Sequence, residues 1–283
     1  MFSFAHLNLN QLNSSFKKEL QNLYPEEEIE NLFFLLMEEV GVSKLNYRLD
    51  SSNTLPQEPF CLEVLKDLKE GFPIQHLLGK AYFYGDYYAV NEHVLIPRGE
   101  TEELVEWVNK TVPANASILE IGSGSGCIPV ALKKHLPEST ICSIDISHEA
   151  LGVARANAKS ILYKEAIEFL QCDILTDFPD FKPTIIVSNP PYVTQEDKKK
   201  MHVNVLEHEP HLALFSNTLL QFYERITLLA QEHLPIGGLL FFEINESYGK
   251  EVIYFMQSNG FAEVELRKDL NKKDRMVMGM KSR

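Results

Sequence analysis

The chain has 283 residues, of which 45% are hydrophobic and 24% charged, and its formal net charge is −13. This length allows one large domain, or a catalytic domain with a smaller companion. No apolar stretch approaches the roughly 20 residues that span a membrane, and the first ten residues lack the pattern of a secretory signal. An acidic chain is a poor partner for nucleic acid, which is usually bound by a basic face. We therefore expect a cytoplasmic protein that acts on another protein and contacts neither membrane nor nucleic acid directly.

The cysteines do not have the spacing of a metal site or of a disulfide framework. They form no C-x-x-C pair, and no histidine stands at a metal-ligand spacing from them. We therefore expect free, buried thiols and no metal. The four residues are Cys61, Cys127, Cys142 and Cys172.

The first third of the chain has the hydrophobic spacing of helices. Between Pro25 and Gly41, apolar residues recur at positions i, i+3, i+4 and i+7, and these two residues suit a helix start and a helix end. Two further apolar stripes predict an earlier and a later helix: Leu12, Phe16, Leu20 and Leu23, and then Leu62, Leu65 and Leu68. We predict a small all-helical domain over residues 1–79.

Residues 80–97 predict a β-hairpin that connects this domain to the rest of the chain. Aromatic and β-branched residues flank two turn-like pairs, Gly85-Asp86 and Asn91-Glu92, as in strands joined by tight turns.

From about Ser117 onward, short apolar strands alternate with helical segments, which predicts an α/β domain over residues 98–283. Buried runs of this kind form a parallel sheet that is covered by helices on both faces. The strands are predicted at 118–121, 141–146, 167–170, 184–187 and 239–244, with a final antiparallel pair at 263–266 and 275–280.

A glycine-rich turn follows the first of these strands. Glu120 ends the strand, and the loop runs Gly122-Ser123-Gly124-Ser125-Gly126. Glycines at this spacing let the backbone approach a ligand. The spacing departs from the G-x-G-x-x-G dinucleotide fingerprint and is similar to the cofactor loop of class I methyltransferases. A nucleotide site and a plain turn are the alternatives.

Two aspartates stand at the ends of the next two strands. Asp145 lies about 20 residues beyond the glycine loop, where an acidic residue can bind ribose hydroxyls; the alternative is a helix cap near Ser147. Asp173 could face an adenine amino group, or be a turn residue.

The segment Asn189-Pro190-Pro191-Tyr192 comes directly after a buried strand. The two prolines stiffen the loop. The side-chain carbonyl of Asn189 and the backbone carbonyl of Pro190 can then converge on one small amino group, while Tyr192 can stack on a flat group. This arrangement suits a planar nitrogen, either an amide or the exocyclic amine of a base.

Taken together, the motifs resemble those of the peptide chain release factor glutamine N5-methyltransferases of the HemK/PrmC type. The resemblance runs from about Gly71 to the C-terminus. It includes the entry segment at residues 73–79, the R-P-E-T-E-like segment at residues 95–102, the complete Asn189–Tyr192 motif, and later landmarks at Glu209-Pro210, Ala213-Leu214 and Glu243-Ile244.

The resemblance implies a class I, Rossmann-like methyltransferase domain with a helical N-terminal domain that helps to bind the substrate. It implies S-adenosyl-L-methionine as the methyl donor, S-adenosyl-L-homocysteine as the product, and a Gly-Gly-Gln glutamine of class I release factors as the target. Three departures stand on the substrate side: Gly99 in place of proline, Phe215–Thr218 in place of a glycine-rich turn, and Ser247 in place of glutamine.

The cofactor-binding residues are predicted to be Glu120, Gly122, Ser123, Gly124, Ser125, Gly126, Asp145, Asp173 and Asn189. Catalysis and substrate binding are predicted for Asn189, Pro190, Pro191 and Tyr192. Arg98, Glu100, Thr101 and Glu102 either wall the cofactor pocket or simply begin a helix, where acidic residues favour the dipole. We expect a monomer. The alternative functions are a glutamine methyltransferase for a ribosomal protein and an adenine-N6 nucleic-acid methyltransferase.

Overall fold

The structure, a computed structural model, describes residues 7–163, 166–192, 210 and 220–283. These residues form two compact units, the first over residues 7–79 and the second from residue 80 onward. No helix within these ranges is long and apolar enough to cross a membrane.

The first unit is helical, as the sequence predicts. It contains five helices: α1 (Leu9–Leu20), α2 (Glu26–Glu39), α3 (Lys44–Leu49), α4 (Glu58–Lys69) and α5 (Ile74–Leu78). A capping box starts α1, in which the Asn8 side chain accepts from the Gln11 amide at 2.8 Å and the Gln11 side chain accepts from the Asn8 amide at 2.9 Å. The apolar faces of these helices meet in one core, where Phe16 and Phe33 pack edge to face with ring centres 5.6 Å apart.

The prediction that Leu23 and Leu62 belong to the buried faces of helices is wrong. Leu23 lies beyond the end of α1 and is 43% exposed, and Leu62 on α4 is 40% exposed. The buried face of α4 consists of Cys61, Val64, Leu65 and Leu68. These positions have the i, i+3, i+4, i+7 spacing of one helical face, which includes Leu65 and Leu68 as predicted but contains Cys61 rather than Leu62.

The second unit begins with the predicted hairpin, formed by β1 (Lys80–Phe83) and β2 (Asp86–Ala89). Its turn is Tyr84-Gly85, and both residues have positive φ, 47° and 93°. That is the backbone of a two-residue type I′ turn, whose twist matches the twist of the strands. The hairpin is shorter than predicted, since residues 90–97 lie outside any strand.

A seven-stranded sheet forms the centre of this unit, with strand order β5-β4-β3-β6-β7-β9-β8. Strands β3 to β7 run parallel, and β9 runs antiparallel to both of its neighbours. The predicted strands and the final antiparallel pair are confirmed. The strands are β3 (Ser117–Ile121), β4 (Thr140–Asp145), β5 (Glu168–Gln171), β6 (Ile185–Ser188), β7 (Leu239–Glu243), β8 (Phe261–Lys268) and β9 (Asp274–Lys281).

Helices cover both faces of the sheet, because neighbouring strand residues enter different hydrophobic clusters. Ile118 packs with one cluster and Leu119 with the other, as expected for side chains that alternate across a sheet. The first cluster holds α6 (Gly99–Thr111), α7 (Cys127–His135) and α8 (His148–Leu162), and the second holds α9 (Gln221–His233) and α10 (Gly249–Ser258). Helices α9 and α10 are not among the elements predicted from the sequence.

The buried Asn157 on α8 joins the hairpin to the glycine loop. Its side-chain oxygen accepts from the Ala89 amide at 2.7 Å, and its NH2 donates to the carbonyls of Ala89 (2.9 Å) and Ser125 (2.8 Å). Three of the four hydrogen-bonding positions of this side chain are therefore used, which offsets the cost of burying an amide. The glycine loop is thus held from below by α8.

We predict that Gly126→Ala destabilises the protein by about 1–3 kcal/mol. Gly126 has φ +79°, and an added Cβ would lie 3.0 Å from both Cα and Cβ of Ala154 on α8. Urea unfolding measures the change. The matched control is Gly152→Ala in the same helix, where a Cβ meets nothing within 4 Å; this variant should gain up to about 1 kcal/mol from helix propensity. Equal stability of the two variants would contradict the prediction.

Candidate active site

The candidate site lies where three parallel strands end side by side. Strand β3 pairs with β4 on one side and with β6 on the other. Ligands of open α/β sheets bind beyond the carboxyl ends of the strands, at the point where the strand order reverses. The glycine loop follows β3, Asp145 ends β4 and Asn189 follows β6, so all three motifs meet at this edge.

The glycine loop is fastened to the neighbouring strand by its own amides. The N–H groups of Gly122 and Ser123 both donate to the Ile144 carbonyl, at 2.8 and 3.1 Å. Gly124, with φ +50°, donates to Oδ2 of Asp145 at 2.9 Å. A Cβ on Gly122 would lie 3.8 Å from the Asn189 carbonyl oxygen, so the glycine loop and the Asn189 loop adjoin.

Asp145 faces the site with both carboxylate oxygens already holding backbone amides, those of Gly124 and Ser147. Burial raises its pKa, and these amides oppose the shift. The cap of α8 is Ser147, whose hydroxyl accepts from the Ala150 amide at 3.1 Å. The helix-cap alternative for Asp145 is therefore wrong. Each carboxylate oxygen has a second lone pair that can accept a hydrogen bond from a hydroxyl group.

Glu120 lies beneath the glycine loop and does not line the cavity. It is fully buried, and its Oε2 accepts from Ser143 at 2.5 Å, which in turn is bonded to Ser123. Its Oε1 has no hydrogen-bond partner among the described residues. Burial raises the pKa of Glu120 to about 8, and the nearby Asp145 adds to the shift while the Ser143 hydroxyl opposes it.

A cavity of about 500 Å³ opens at this edge of the sheet, within the range of small-molecule sites. The predicted residues on its wall are Gly122, Ser123, Gly124, Ser125, Asp145, Asp173, Asn189, Pro190 and Pro191. Glu120, Gly126 and Tyr192 are not on the wall. Asp173 also accepts from the Leu175 amide at 3.0 Å.

The apolar part of the wall was not predicted from the sequence. It comprises Val94, Leu95, Pro97, Ile146, Cys172, Ile174 and Leu175, among others. Ile146 is 49% exposed. Its position directly after Asp145 is the feature of the sequence that could have predicted its place on the wall. Side chains of this kind can pack against a flat, apolar ring.

The Asn189 loop is anchored where it leaves β6. The Ser188 hydroxyl donates to the Ile121 carbonyl at 2.8 Å, and the NH2 of Asn189 donates to the Thr101 hydroxyl at 3.3 Å. No hydrogen bond to the side-chain oxygen of Asn189 is found among the described residues, so that oxygen can accept from a ligand.

Tyr192 turns away from the cavity toward Glu243. Its hydroxyl donates to Oε1 of Glu243 at 2.9 Å, and Thr101 donates to Oε2 at 2.7 Å. Burial and the adjacent carboxylate raise the pKa of Tyr192 well above its usual value. Burial also raises the pKa of Glu243, while its two hydrogen bonds and the charge of Arg275 oppose the shift.

Only part of the segment at residues 98–102 lines the cavity. Arg98 and Thr101 line the cavity, whereas Oε1 of Glu102 accepts from the Tyr84 amide at 2.7 Å. Gly99 is the first residue of α6, and a Cβ there meets nothing within 4 Å. Proline also suits this first helical position, so its replacement by Gly99 leaves the helix start intact.

Several predicted landmarks lie outside the described residues: Glu209, Ala213, Leu214 and Phe215–Thr218. Ser247 is described, and its amide donates to the Asn245 side chain at 2.9 Å. All four cysteines are free thiols; Cys61 and Cys142 are buried, and Cys127 and Cys172 are partly exposed. Within the described ranges no cluster of three or more His, Cys, Asp or Glu side chains could hold a metal ion.

Comparison with known proteins identifies the class of enzyme. Residues 99–272 match the family model "Methyltransferase small domain". Among solved structures, a methyltransferase from Pyrococcus furiosus has a TM-score of 0.50 at 13% identity, covering 69% of this chain and 89% of that one. The ribosomal protein L11 methylase of Lactobacillus delbrueckii subsp. bulgaricus also has a TM-score of 0.50, at 16% identity over 69% of this chain and 84% of that one. These two structures share the fold of this chain.

Curated relatives identify the family within this class of enzymes. The release factor glutamine methyltransferase of Flavobacterium psychrophilum is 42% identical over 93% of this chain and 96% of its own length. The protein of the same name from Bacteroides thetaiotaomicron is 37% identical over 95% and 99%. The chain therefore belongs to the release factor glutamine methyltransferase family.

The raised pKa of Glu120 predicts a pH-dependent stability of the cofactor-free protein. Between about pH 4.5 and pH 8 the folded chain keeps a proton that the unfolded chain has lost. This contribution is fully present below the unfolded pKa and is lost as pH rises through the folded pKa, by at most about 1.4 kcal/mol per pH unit. Glu120→Gln removes the titrating group, so its stability relative to wild type should improve steadily across this window. Urea unfolding at several pH values measures the difference, and a pH-independent difference would contradict the prediction.

Proposed function

We propose that this enzyme transfers a methyl group from S-adenosylmethionine to the side-chain amide nitrogen, N5, of the glutamine in the Gly-Gly-Gln motif of class I peptide chain release factors. The observation that carries the proposal is the position of Asn189. It stands on the cavity wall beside the glycine loop, with its NH2 held by Thr101 and its oxygen directed to no other described residue.

The cavity fits the methyl donor by its chemistry. Asp145 would accept from the ribose hydroxyls, Asp173 would face the adenine amino group, and the glycine loop would let the rest of the molecule pass close to the backbone. The exposed Ile146 would pack against the adenine ring. Glu120 lies below the loop and outside the cavity wall, so we assign it no contact with the donor. When bound, the donor supplies a methyl group on a positively charged sulfur.

The substrate amide would be held by acceptors. An amide nitrogen is a weak nucleophile, because its lone pair is delocalised into the carbonyl. The Asn189 side-chain oxygen and the Pro190 carbonyl would accept from its two N–H groups and fix its direction of approach; orientation of this kind can lower a barrier by several kcal/mol. The same oxygens favour the positive charge that develops on nitrogen. The nitrogen would gain the methyl group as the bond between that methyl and sulfur breaks, with the bonding electrons left on sulfur in the S-adenosylhomocysteine product, and one proton would pass from nitrogen to water.

The helical unit at residues 7–79 is proposed to dock the protein substrate. It has its own hydrophobic core and contributes no residue to the cavity wall, and its α3 carries two exposed leucines, Leu45 (65%) and Leu49 (75%). The names of the relatives support a release factor as the partner. A cytoplasmic location, a monomeric state and a metal-free reaction stay predictions.

Asp145→Ala is expected to weaken binding of S-adenosylmethionine by roughly 1.5–3 kcal/mol, because a hydrogen bond to a charged acceptor is lost. Calorimetry on the full chain measures the dissociation constant. The matched control is Asp177→Ala, which removes an exposed carboxylate that is absent from the cavity wall and should leave the constant unchanged. Wild-type affinity in Asp145→Ala would remove the ribose assignment.

The acceptor is identified with labelled methyl donor and purified release factors, ribosomal proteins and DNA. We expect label on the release factor, at the glutamine amide by mass spectrometry, and a lower KM for the intact factor than for a Gly-Gly-Gln peptide.

Asn189→Ala should lose roughly 100-fold or more in single-turnover rate with little change in cofactor affinity. Methyl transfer by Asn189→Asp should be impaired too, because this variant lacks the NH2 group that donates a hydrogen bond to Thr101.

Other outcomes point to the alternatives. Label on a ribosomal protein would replace the target while keeping every site residue. Label on an adenine base would overturn the amide proposal. Full activity in Asn189→Ala would take this residue out of the mechanism.

A further inference from the structure

We infer that Thr101 and Glu243 are positioning residues that determine which end of the Asn189 amide faces the substrate. Both lie outside the Asn189–Tyr192 motif, and neither needs to touch the substrate for this role. The inference rests on the proposed function, because it concerns how Asn189 presents its oxygen to the acceptor amide.

The contacts form one chain of hydrogen bonds beneath the loop. The Asn189 NH2 donates to Thr101 Oγ1 at 3.3 Å, and Thr101 donates to Glu243 Oε2 at 2.7 Å. Tyr192 donates to the other oxygen, Oε1, at 2.9 Å. Thr101 is 3% exposed and Glu243 is 1% exposed, so water does not compete for these positions.

The direction of each bond follows from what the groups can do. A carboxylate only accepts, and a hydroxyl has a single proton to donate. Thr101 uses that proton on Glu243, so toward Asn189 it can only accept. Asn189 must therefore present its NH2 to Thr101, which leaves its carbonyl oxygen on the other side. Without this constraint the two ends of a side-chain amide are nearly equal in shape.

The surroundings hold Glu243 in this role. The Tyr223 hydroxyl donates to the Glu243 backbone carbonyl at 3.2 Å, and the NH2 of Asn245 donates to the Tyr192 carbonyl at 3.4 Å. Arg275, which is bonded to Asp269 at 3.0 Å, places a positive charge that favours the ionised carboxylate. The end of β7 and the Asn189 loop are thus fastened together at several points.

Two substitutions of nearly unchanged shape test the inference in the full chain. Thr101→Val removes the hydroxyl that accepts from Asn189. Glu243→Gln replaces one acceptor oxygen by a donor, so one of the two hydroxyls must reverse, and Asn189 loses its single preferred orientation. Each variant should lower kcat for methyl transfer by roughly 10- to 100-fold, while the KM for the protein substrate and the affinity for S-adenosylmethionine change less than about threefold.

Two further variants separate positioning from general damage. Thr101→Ser keeps the hydroxyl and should restore kcat to within about threefold of wild type. Thr227→Val is the matched control, because Thr227 is also buried, lies on α9 and has a hydroxyl without a hydrogen-bond partner among the described residues. It should keep wild-type kcat. The inference is overturned if Thr101→Val keeps wild-type kcat, if Thr101→Ser fails to restore it, or if Thr227→Val loses as much as Thr101→Val.

A second measurement needs no methyl acceptor and so stays informative if the proposed function fails. The side-chain NH2 signals of Asn189 are identified in the nitrogen-15 NMR spectrum of the full chain by their loss in Asn189→Ala. Their exchange with solvent should be slow in wild type and in Thr101→Ser, and at least about tenfold faster in Thr101→Val and Glu243→Gln, because the acceptor is lost or reversed. Unchanged exchange in both of these variants overturns the inference. A wild type that does not methylate release factors, but shows these exchange rates, sinks only the proposed substrate.

Discussion

The parallel pairing of β3 with both β4 and β6 is the constraint on which the rest of the site depends. The register places Ile121 opposite Ile144 on one side and opposite Ser188 on the other. The residues that follow, Gly122, Asp145 and Asn189, therefore emerge at the same height along one edge. Segments that are far apart in the chain become neighbours, because parallel strands all end in the same direction.

Beneath this edge lies a layer of buried polar groups that a plain hydrophobic sheet would not need. Glu120 is the penultimate residue of β3 and Glu243 is the last residue of β7, and both are at most 1% exposed. Burying a carboxyl group is unfavourable unless it is hydrogen-bonded, and here Ser143, Thr101 and Tyr192 supply donors. Clusters of this kind, with raised pKa values, often lie at functional sites. The polar layer holds the two loops in place, at a cost that the apolar strands behind it offset.

The fold and the family carry different amounts of information about function. Structures with 13% and 16% identity share the sheet, but a methyltransferase sheet can serve many acceptors. The relatives with 37% to 42% identity over nearly the whole chain narrow the family. In the proposed function, the Asn189 loop and the residues that hold it select the acceptor, whereas the glycine loop and Asp145 bind the donor.

The sequence by itself determined the strands of the sheet and the positions of Gly122, Asp145 and Asn189 at strand ends, because hydrophobic period, glycines and prolines act locally. Only the tertiary structure decided that Tyr192 turns to Glu243, that Glu120 lies below the cavity wall, and that Leu23 and Leu62 stay outside the core. Thr101 meets Glu243 across 142 positions of the chain. Local spacing predicts which face of an element is apolar, but it holds no information about which distant side chain will supply a hydrogen bond. That depends on how the packed sheet and helices bring their ends together.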